Sequence, residues 1–347
     1  MRKDDQVALP ERRVEDLEAW WGQIAQIAGS VSRRFPYMPP KWPHRRRNSN
    51  LEEVVILQIS DTQCGSRITR EETGGIEEYD ESVFLRRMLA YQERVAIIVN
   101  DVLRSALPVH NCVVVLGGDF IEGELVYRGQ QMHVDEPWAT QIFRTVHDLA
   151  ALLQFIAGMF DHVRVETVDG NHGAVYGATL NIDFLCYLFM REILRDQRNI
   201  DWRISTGHMN VFEVGPASYN APRDYPPRTF LAVHGDAIRS SHGTPYCGLD
   251  RAYGNYLNAL QRHIDTMLVG HFHRAGFGPD LSWAVNGSWP GASGYSLEAL
   301  RSSCRPQQWL WTCHQGVGIT SVRPIYLAAR GAPCGSDEQL TPTAPDY

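Results

Sequence analysis

Five short hydrophobic runs in this sequence each end in side chains that can bind a metal ion. In residues 113–124, a run of β-branched residues stops at two glycines and Asp119. This composition predicts a buried parallel strand, and open α/β sheets bind their ligands just beyond the carboxyl ends of such strands. Taken alone, Asp119 is more typical of a helix N-cap than of a ligand-binding residue.

The other four runs end in the same way, which changes the interpretation of Asp119. These runs cover residues 54–59, 163–168, 230–233 and 266–269, and the residues that follow them include Asp61, Gln63, Asn171, His172, His234, His271 and His273. Independent helix capping does not explain five such ends in one chain. Because carboxylate, amide and imidazole groups together are typical ligands of divalent cations, the pattern predicts one shared metal centre.

Length and composition limit the class of protein. The chain has 347 residues, enough for one catalytic domain with a large buried core. No apolar segment reaches the roughly 20 residues that span a bilayer, and the charged residues 1–5 do not resemble a signal peptide. The seven cysteines are scattered and form no C-x-x-C pair, which indicates reduced, structural thiols. We therefore expect a soluble, cytoplasmic protein without a membrane partner.

Residues 1–50 differ in charge from the rest of the chain. They hold ten lysines and arginines against six acids, whereas the whole chain has a formal net charge of −7. Residues 14–32 have the apolar spacing of an amphipathic helix that packs on the main domain. Residues 33–50 form a basic arm rich in proline and arginine, which is typical either of a strap for a nucleic-acid backbone or of a solvated linker.

The remaining pattern predicts a catalytic domain over residues 51–330 and a flexible tail over residues 331–347. Helical periodicity predicts three helices, over residues 82–107 with Ser82 as the cap, 138–160 and 180–198. Alternating residues predict a second, more antiparallel sheet, over residues 203–214, 228–233, 281–286, 309–314 and 319–326. Together these elements predict an α/β fold, a four-layer α/β/β/α sandwich of two mixed β-sheets flanked by helices.

Two loops are candidates for substrate contacts. Residues 122–136 follow a predicted ligand and are expected to form a wall beside the metals. A second stretch follows the last predicted ligand and contains an indole that could stack on a base. That stretch is rich in glycine, however, and a tight turn alone would need small residues there. The predicted substrate-binding residues are Tyr127, Arg128, His133, Asn286 and Trp289.

The ordered motifs resemble those of a known family. The motif residues are Asp61-x-Gln63, Gly118-Asp119, Gly170-Asn171-His172, His234 and Gly270-His271-x-His273. Over residues 54–290 they are similar to the calcineurin-like metallophosphoesterase superfamily, whose pattern is D-x-H, G-D, G-N-H-D/E, H and G-H-x-H. The chain looks most like the phage and bacterial type, which is similar to DNA-repair nuclease subunits. The resemblance implies the metallophosphoesterase fold.

The resemblance also implies the roles of the motif residues. Two divalent ions would share Asp119 as a bridging ligand, and Mn²⁺ is the favoured metal, with Mg²⁺, Fe and Zn²⁺ as alternatives. A hydroxide between the ions would attack phosphorus, and His172 would either protonate the leaving alkoxide or stabilise the transition state. The remaining ligands would be Asp61, Gln63 and His273 for one ion, and Asn171, His234 and His271 for the other.

Two positions depart from the family pattern. Gln63 stands where the family usually has histidine, and a neutral amide oxygen is a weaker ligand for transition metals than imidazole. Gly173 stands where an acid normally follows the asparagine–histidine pair and orients the histidine. By sequence proximity, Asp169 and Asp236 are the candidates to orient His172 instead.

Three functions are compatible with the resemblance. The favoured one is a phosphodiesterase or nuclease that acts on DNA, because of the basic arm and the similarity to repair nucleases. The alternatives are a phosphomonoesterase of small molecules or phosphoproteins, and a catalytically weak, metal-bound binding protein. A homodimer and, for a phage-encoded chain, a location in the host cytoplasm are further implications.

Overall fold

The described part of the chain forms two β-sheets that pack face to face between helices. The computed structural model describes residues 22–24, 26–27, 29, 31, 34–41, 52–124, 126–175, 179–215, 227–239, 245–298, 300–301 and 304–328. The predicted tail over residues 331–347 and most of the predicted helix over residues 14–32 lie outside these ranges. Ile27 and Val31 are described, and both are buried in the main core.

The first sheet has six strands, which are β1 (Val54–Ile59), β2 (Asn111–Leu116), β3 (His162–Thr167), β4 (Ile200–Arg203), β10 (Gln307–His314) and β11 (Gly318–Tyr326). Their order is β11-β10-β1-β2-β3-β4. Strands β1 to β4 are parallel to one another, whereas β10 runs antiparallel to β1 and β11 antiparallel to β10.

The second sheet has five strands, which are β5 (Met209–Val214), β6 (Arg228–Val233), β7 (Thr266–Val269), β8 (Gly276–Phe277) and β9 (Trp283–Val285). Their order is β5-β6-β7-β9-β8. The three central strands are parallel, and the two edge strands are antiparallel to their neighbours.

Helices cover the outer faces of both sheets. Among the described residues they are α1 (Glu81–Ala96), α2 (Trp138–Ala157), α3 (Ile182–Ile193), α4 (Tyr246–Leu260) and the short α5 (Gly294–Glu298). The chain continues from α1 through a π-helical segment, Ile97–Leu103, into a last turn at Arg104–Ala106. Within the described ranges, no helix combines the length and the apolar character needed to cross a membrane.

The alternation of side chains along each strand produces four layers. In β1, Val55 and Leu57 pack with α1, α2 and α3, whereas Ile56 lies between the two sheets. In β6, Phe230 lies between the sheets, and Leu231 packs against α4. The order of layers is therefore helices, first sheet, second sheet, helix, and the predicted α/β/β/α sandwich is confirmed.

The sheet membership of two strands differs from the prediction. The sequence placed residues 309–314 and 319–326 in the second sheet, but β10 pairs with β1 and extends the first sheet. The prediction was wrong because β10 is buried on both faces: Leu310 packs on the helix side, and Trp311 lies between the sheets. Alternation shows that such a strand is buried, but it does not show which neighbour it pairs with.

The first helix begins differently from the prediction. Its N-cap is Asp80 rather than Ser82, because Asp80 Oδ1 accepts a hydrogen bond from Val83 N at 2.8 Å. Ser82 Oγ donates to the same carboxylate at 2.8 Å and so supports the cap. Aspartate and serine are both good N-caps, so composition alone did not separate them.

The described part of the basic arm, residues 34–41, runs along the surface of the domain. Phe35 N donates to Ile193 O at 3.2 Å, and Lys41 N donates to Gly158 O at 3.1 Å. Gly158 lies between α2 and β3, next to the amino ends of the parallel strands. These residues therefore lie at the end of the first sheet opposite the strand ends that carry the motif residues.

Asp148 in α2 generates a prediction about stability and pH. Burial raises the pKa of Asp148 to about 6, although Arg144 opposes the shift. The unfolded carboxyl titrates near pH 3.9, so the folded state should lose stability as the pH rises from about 4 to about 6. We expect Asp148→Asn to remove that loss and to raise the free energy of unfolding at pH 8 by about 1–2 kcal/mol relative to the wild type.

Urea unfolding at pH 4 and pH 8, in a chelating buffer, measures this difference. The variant and the wild type should differ little at pH 4, where both side chains are neutral. Asp101→Asn, an exposed aspartate in the π-helical segment, is the matched control and should show no such gain. An equal change for the Asp148 variant at both pH values would contradict the prediction.

Candidate metal centre

The motif residues lie at the carboxyl ends of parallel strands in both sheets. Asp61, Asp119 and Asn171 follow β1, β2 and β3 of the first sheet, and His234 and His271 follow β6 and β7 of the second. Because the two sheets pack face to face, their ligand-bearing rims meet at one edge of the sandwich.

Most of these residues adopt a backbone conformation that is unusual for residues other than glycine. The φ angles of Asp61, Gln63, Asp119, His271 and His273 are 55°, 43°, 55°, 65° and 53°. The left-handed region costs on the order of 1–3 kcal/mol for such a residue, and it persists only where the surrounding contacts enforce it. Strain of this kind is concentrated at functional sites, and here it turns each side chain away from its strand into the rim.

Two glycines allow the loops of β2 and β3 to approach each other. A Cβ atom on Gly118, whose φ is +84°, would lie 2.6 Å from Gly170 Cα. A Cβ atom on Gly170 would lie 2.8 Å from the carboxyl carbon of Asp119. Any side chain at either position would therefore separate Asp119 from the loop that carries Asn171.

Asp119 is the centre of the first group of ligand atoms. Its Oδ2 atom lies 2.9 Å from His234 Nε2, which is itself 3.1 Å from Asn171 Oδ1. One ligand atom each from Asp119, His234 and His271 lies within 4.8 Å of the other two. Within the described residues, Asp119 Oδ2 has no hydrogen-bond partner of suitable geometry. The 2.9 Å contact with His234 Nε2 is therefore short, but the two groups are not aligned as a hydrogen bond. A buried carboxylate oxygen without a hydrogen bond is costly, and a divalent cation would satisfy it.

The electrostatics of this group favour a bound cation. Burial alone would raise the pKa of Asp119, but His234 and His172 outweigh it and hold that pKa well below the usual range. Burial would lower the pKa of His234, but Asp119 raises it to about 10. His234 Nδ1 lies 2.8 Å from Gly117 O, which leaves Nε2 to face the carboxylate. Metal binding needs the neutral imidazole, so it would release this proton.

His271 is already neutral at physiological pH. Burial, followed by the neighbouring His234, lowers the pKa of His271 to about 4. Its ring lies edge-on to that of His234, with 5.2 Å between the ring centroids. A neutral imidazole has a free lone pair, which is the state that binds metal.

Asp61, Gln63 and His273 form the second group. His273 Nε2 lies 3.4 Å from Asp61 Oδ1 and 3.2 Å from the amide nitrogen of Gln63. A half-turn of the amide would place its oxygen at the same position, so Gln63 can offer a ligand oxygen. His271 N donates to Asp61 Oδ1 at 2.9 Å and connects the two groups. The structure thus places the seven predicted ligands in two neighbouring groups, and their carboxylate, amide and imidazole donors are of the types that divalent cations bind.

His172 lies beside the first group. Its backbone N–H donates to Asp119 Oδ1 at 2.7 Å, and its Nε2 atom is 4.0 Å from Asp119 Oδ2. His172 Nδ1 lies 2.6 Å from the backbone oxygen of Glu122 and 3.8 Å from Glu122 Oε2. Burial would lower the pKa of His172, but Asp119 and then Glu122 raise it. Glu122 therefore orients this ring.

The two acids suggested by sequence proximity do not have that role. In the described ranges, neither Asp169 nor Asp236 forms a hydrogen bond or ion pair with His172. Burial and then Asp183 raise the pKa of Asp169 to about 7, and Asp236 is exposed. The signal for Glu122 was present in the sequence, since Glu122 is three residues after Asp119 at the same strand end.

Gly173 has a steric explanation. A Cβ atom there would lie 2.9 Å from Asp183 N and would also collide with the side chain of Asn181. Asn181 is the N-cap of α3 and accepts a hydrogen bond from Asp183 N. The helix cap therefore occupies the space that an acidic side chain would need.

Asp183 is a functional residue that the sequence did not indicate. Its buried carboxylate accepts hydrogen bonds from Asp119 N at 2.8 Å, Phe120 N at 3.1 Å and Gly170 N at 2.9 Å. Burial and then Asp119 raise the pKa of Asp183 to about 6. An aspartate in the first turn normally interacts with its own helix, so its bonds to two distant loops were not predictable locally.

The structure corrects two of the five predicted substrate contacts. Asn286 is completely buried and bonded to both sheets, and Trp289 is completely buried against Phe84 and Tyr91. Both belong to the core, because the glycine-rich turn folds inward beneath Asp61.

The other three predicted contacts lie on the loop after β2. Tyr127 is 46% exposed, and its hydroxyl lies 3.4 Å from Glu122 Oε1, so it reaches the surroundings of His172. Arg128 and His133 are exposed on the same loop. Within the described part of the chain, no ion pair or hydrogen bond joins their side chains to the metal ligands. Their role in substrate binding stays a prediction.

Solved structures similar to this one include phosphoesterases. An archaeal phosphodiesterase aligns at 13% identity over 78% of this chain and 99% of its own, with a TM-score of 0.33. A predicted phosphoesterase from Streptococcus pneumoniae aligns at 12% identity over 75% and 83%, with a TM-score of 0.28. Vps29 from Entamoeba histolytica, complexed with zinc, aligns at 12% identity over 79% and 99%, with a TM-score of 0.32. No family model matches the sequence, and neither does any curated protein.

Gln63 generates a prediction about metal affinity. Because imidazole is a stronger ligand than an amide oxygen, Gln63→His should tighten the weaker of two Mn²⁺ binding events by about tenfold. Isothermal titration calorimetry with Mn²⁺ at fixed pH measures the affinity of each binding event. The exposed Gln131→His is the matched control and should leave both events unchanged. Unchanged affinity in the Gln63 variant would show that this residue is not a ligand.

Proposed function

We propose that this protein hydrolyses phosphate esters with two divalent metal ions. The observation that carries the proposal is the convergence of ligands from both sheets on one rim, where Asp119 Oδ2 is buried without an aligned hydrogen bond. Bound there, two divalent cations supply positive charge that stabilises a phosphoryl transition state and acidifies a water molecule. Asp119 would be the ligand shared by the two ions, as the resemblance of its motif implies.

The chain's own residues would bind and orient the substrate and move the proton. His172 is the residue beside the ligands whose raised pKa suits a proton donor, and Glu122 fixes the direction of its ring. Gln130 Nε2 donates to Glu122 O at 2.7 Å and to Glu122 Oε1 at 3.0 Å, which holds that residue in turn. The leaving oxygen would receive its proton from His172 Nε2.

The proposed substrate is a phosphodiester, with DNA as the first candidate. The support for DNA is the basic composition of residues 33–50. Residues 34–41 of that arm lie at the far end of the sheet, so a DNA strand at the metals would be contacted by the loops around the rim and not by these residues.

The test is hydrolysis in the presence of Mn²⁺. The substrates are bis-p-nitrophenyl phosphate, p-nitrophenyl phosphate, and labelled single- and double-stranded DNA. Cleavage of the diester and of DNA is the expected result. Cleavage of the monoester alone would indicate a phosphomonoesterase, and metal binding without any cleavage would indicate a binding protein.

Asp119→Asn is the variant that connects this activity to the metal centre. Losing the shared carboxylate should abolish binding of at least one Mn²⁺ and lower turnover by more than a hundredfold. Asp101→Asn, which lies far from the rim, should behave as the wild type. Turnover that survives both Asp119→Asn and a chelator would contradict the proposal.

Glu122 generates a prediction that depends on the leaving group. Glu122→Gln removes the charge that supports a protonated His172, so turnover of esters with alkyl leaving groups should fall by about tenfold or more. The p-nitrophenolate group leaves without a proton, so its ester should be affected much less. Comparing kcat for methyl p-nitrophenyl phosphate with that for an alkyl diester measures the difference. Glu93→Gln, an exposed glutamate in α1, is the control. An equal loss with both leaving groups would contradict this role.

A further inference from the structure

A chain of buried hydrogen bonds connects Asp61 to the interface between the two sheets. Ser60 Oγ donates to Asp61 Oδ2, and Asn286 Nδ2 donates to Ser60 Oγ at 3.0 Å. Asn286 Oδ1 accepts a hydrogen bond from Trp309 N at 3.1 Å. Ser60, Asp61 and Asn286 are all 0% exposed, so no water competes for these bonds from the surface.

The directions of these bonds follow from the backbone groups around them. Asn286 must present its oxygen to the Trp309 N–H, so its amide nitrogen faces Ser60 and, at 2.6 Å, Gln308 Oε1. Gln308 Oε1 also accepts from Ser60 N at 2.9 Å, and Gln308 Nε2 donates to Gly287 O at 2.7 Å. Because a backbone N–H only donates and a carbonyl only accepts, each amide has one orientation that satisfies its partners.

This arrangement determines what the Ser60 hydroxyl does. An amide nitrogen only donates, so Ser60 Oγ accepts from Asn286, and its single proton goes to Asp61 Oδ2. The other oxygen of Asp61 accepts from His271 N at 2.9 Å. Each carboxylate oxygen is therefore held by one donor, which fixes the carboxylate plane and leaves the remaining lone pairs for a cation.

The same bonds join the two halves of the metal centre. Asn286 follows β9 in the second sheet, and its backbone N–H donates to Val269 O at 2.7 Å, two residues before His271. Ser60 follows β1, and Gln308 lies in β10, both in the first sheet. Asn286 thus contacts both sheets directly beneath the ligands that they contribute.

We propose that Ser60 and Asn286 are positioning residues for the metal ion held by Asp61, and that they act in series. Asn286 orients the Ser60 hydroxyl, and the hydroxyl orients the Asp61 carboxylate. Neither residue would touch metal or substrate. The proposal rests on the proposed function only in that Asp61 binds a metal ion. Partners that orient a ligand from behind typically change metal affinity by about 10- to 100-fold when they are removed.

The test is a double-mutant cycle on Mn²⁺ affinity. Ser60→Ala and Asn286→Ala should each weaken one of the two Mn²⁺ binding events by about tenfold and leave the other unchanged, as measured by isothermal titration. The double variant should bind Mn²⁺ no more weakly than whichever single variant has the lower affinity. Both substitutions disrupt the same hydrogen bond to the Asp61 carboxylate, and that bond can be lost only once. Urea unfolding in a chelating buffer gives the stability of each variant separately.

Asn210→Ala is the matched control. Asn210 in β5 also joins the sheets, since its Nδ2 atom donates to Glu166 Oε2 of β3 at 3.0 Å and to Thr167 O at 3.3 Å. These bonds lie outside the chain of hydrogen bonds that runs from Asn286 through Ser60 to Asp61. Removal of the Asn210 amide should lower the free energy of unfolding and leave both Mn²⁺ affinities unchanged. If Asn286→Ala does not fold, Ser60→Ala alone tests the bond to the carboxylate.

The outcomes separate this inference from the proposed function. Variants at Ser60 and Asn286 that are less stable but bind Mn²⁺ like the wild type would overturn the positioning role, as would additive losses of affinity in the double variant. A wild type that binds no Mn²⁺ would instead overturn the proposed function itself. A wild type that binds two ions without cleaving any ester would leave the positioning role supported if the cycle behaves as expected.

Discussion

The burial of negative charge at the rim between the sheets is the constraint on which the rest of the structure depends. Asp61, Asp119 and Asp183 are each 0–1% exposed, and removing a carboxylate from water costs several kcal/mol unless it is paired. Three backbone N–H groups satisfy Asp183, whereas Asp119 keeps one oxygen without an aligned bond. A proton on His234 or a cation shared with His234 can each neutralise that oxygen. Because both would act on the same carboxylate, a metal ion bound there would compete with protons.

The strained backbone and the buried charges support each other. Asp119 has a φ of 55°, and its own N–H donates one of the three hydrogen bonds that the Asp183 carboxylate accepts. Since Asp183 also binds Gly170 N, it holds the loops after β2 and β3 in contact, which keeps Asp119 close to Asn171. On the other side, Asp61 Oδ1 accepts a hydrogen bond from the backbone N–H of His271, so a predicted ligand of the first sheet holds a strained residue of the second. The rim is therefore stabilised by polar contacts that cross between loops, and not by the conformational preference of any one loop.

The sequence predicted the features that are local and missed those that depend on distant partners. Strand ends such as those before Asp61 and Asp119 were predictable, because composition and the following glycines are contiguous in the chain. The pairing of β10 with β1 was not, since a strand buried on both faces has the same pattern in either sheet. Trp289 was misplaced for a related reason: a glycine-rich turn with an indole has the same composition whether the ring faces a cleft or the core.

The surroundings of Gly173 explain why His172 is oriented from a different loop. The N-cap of α3 fills the position next to His172 in the chain, so an acid there would disrupt the start of that helix. His172 still has a carboxylate beside its Nδ1 atom, because Glu122 reaches the ring from the loop after β2. That loop is the one that carries Asp119, so the ligand and the acid beside His172 are positioned by the same strand end. The carboxylate that acts on the His172 ring therefore comes from the loop after β2, and not from the residue that follows His172 in the chain.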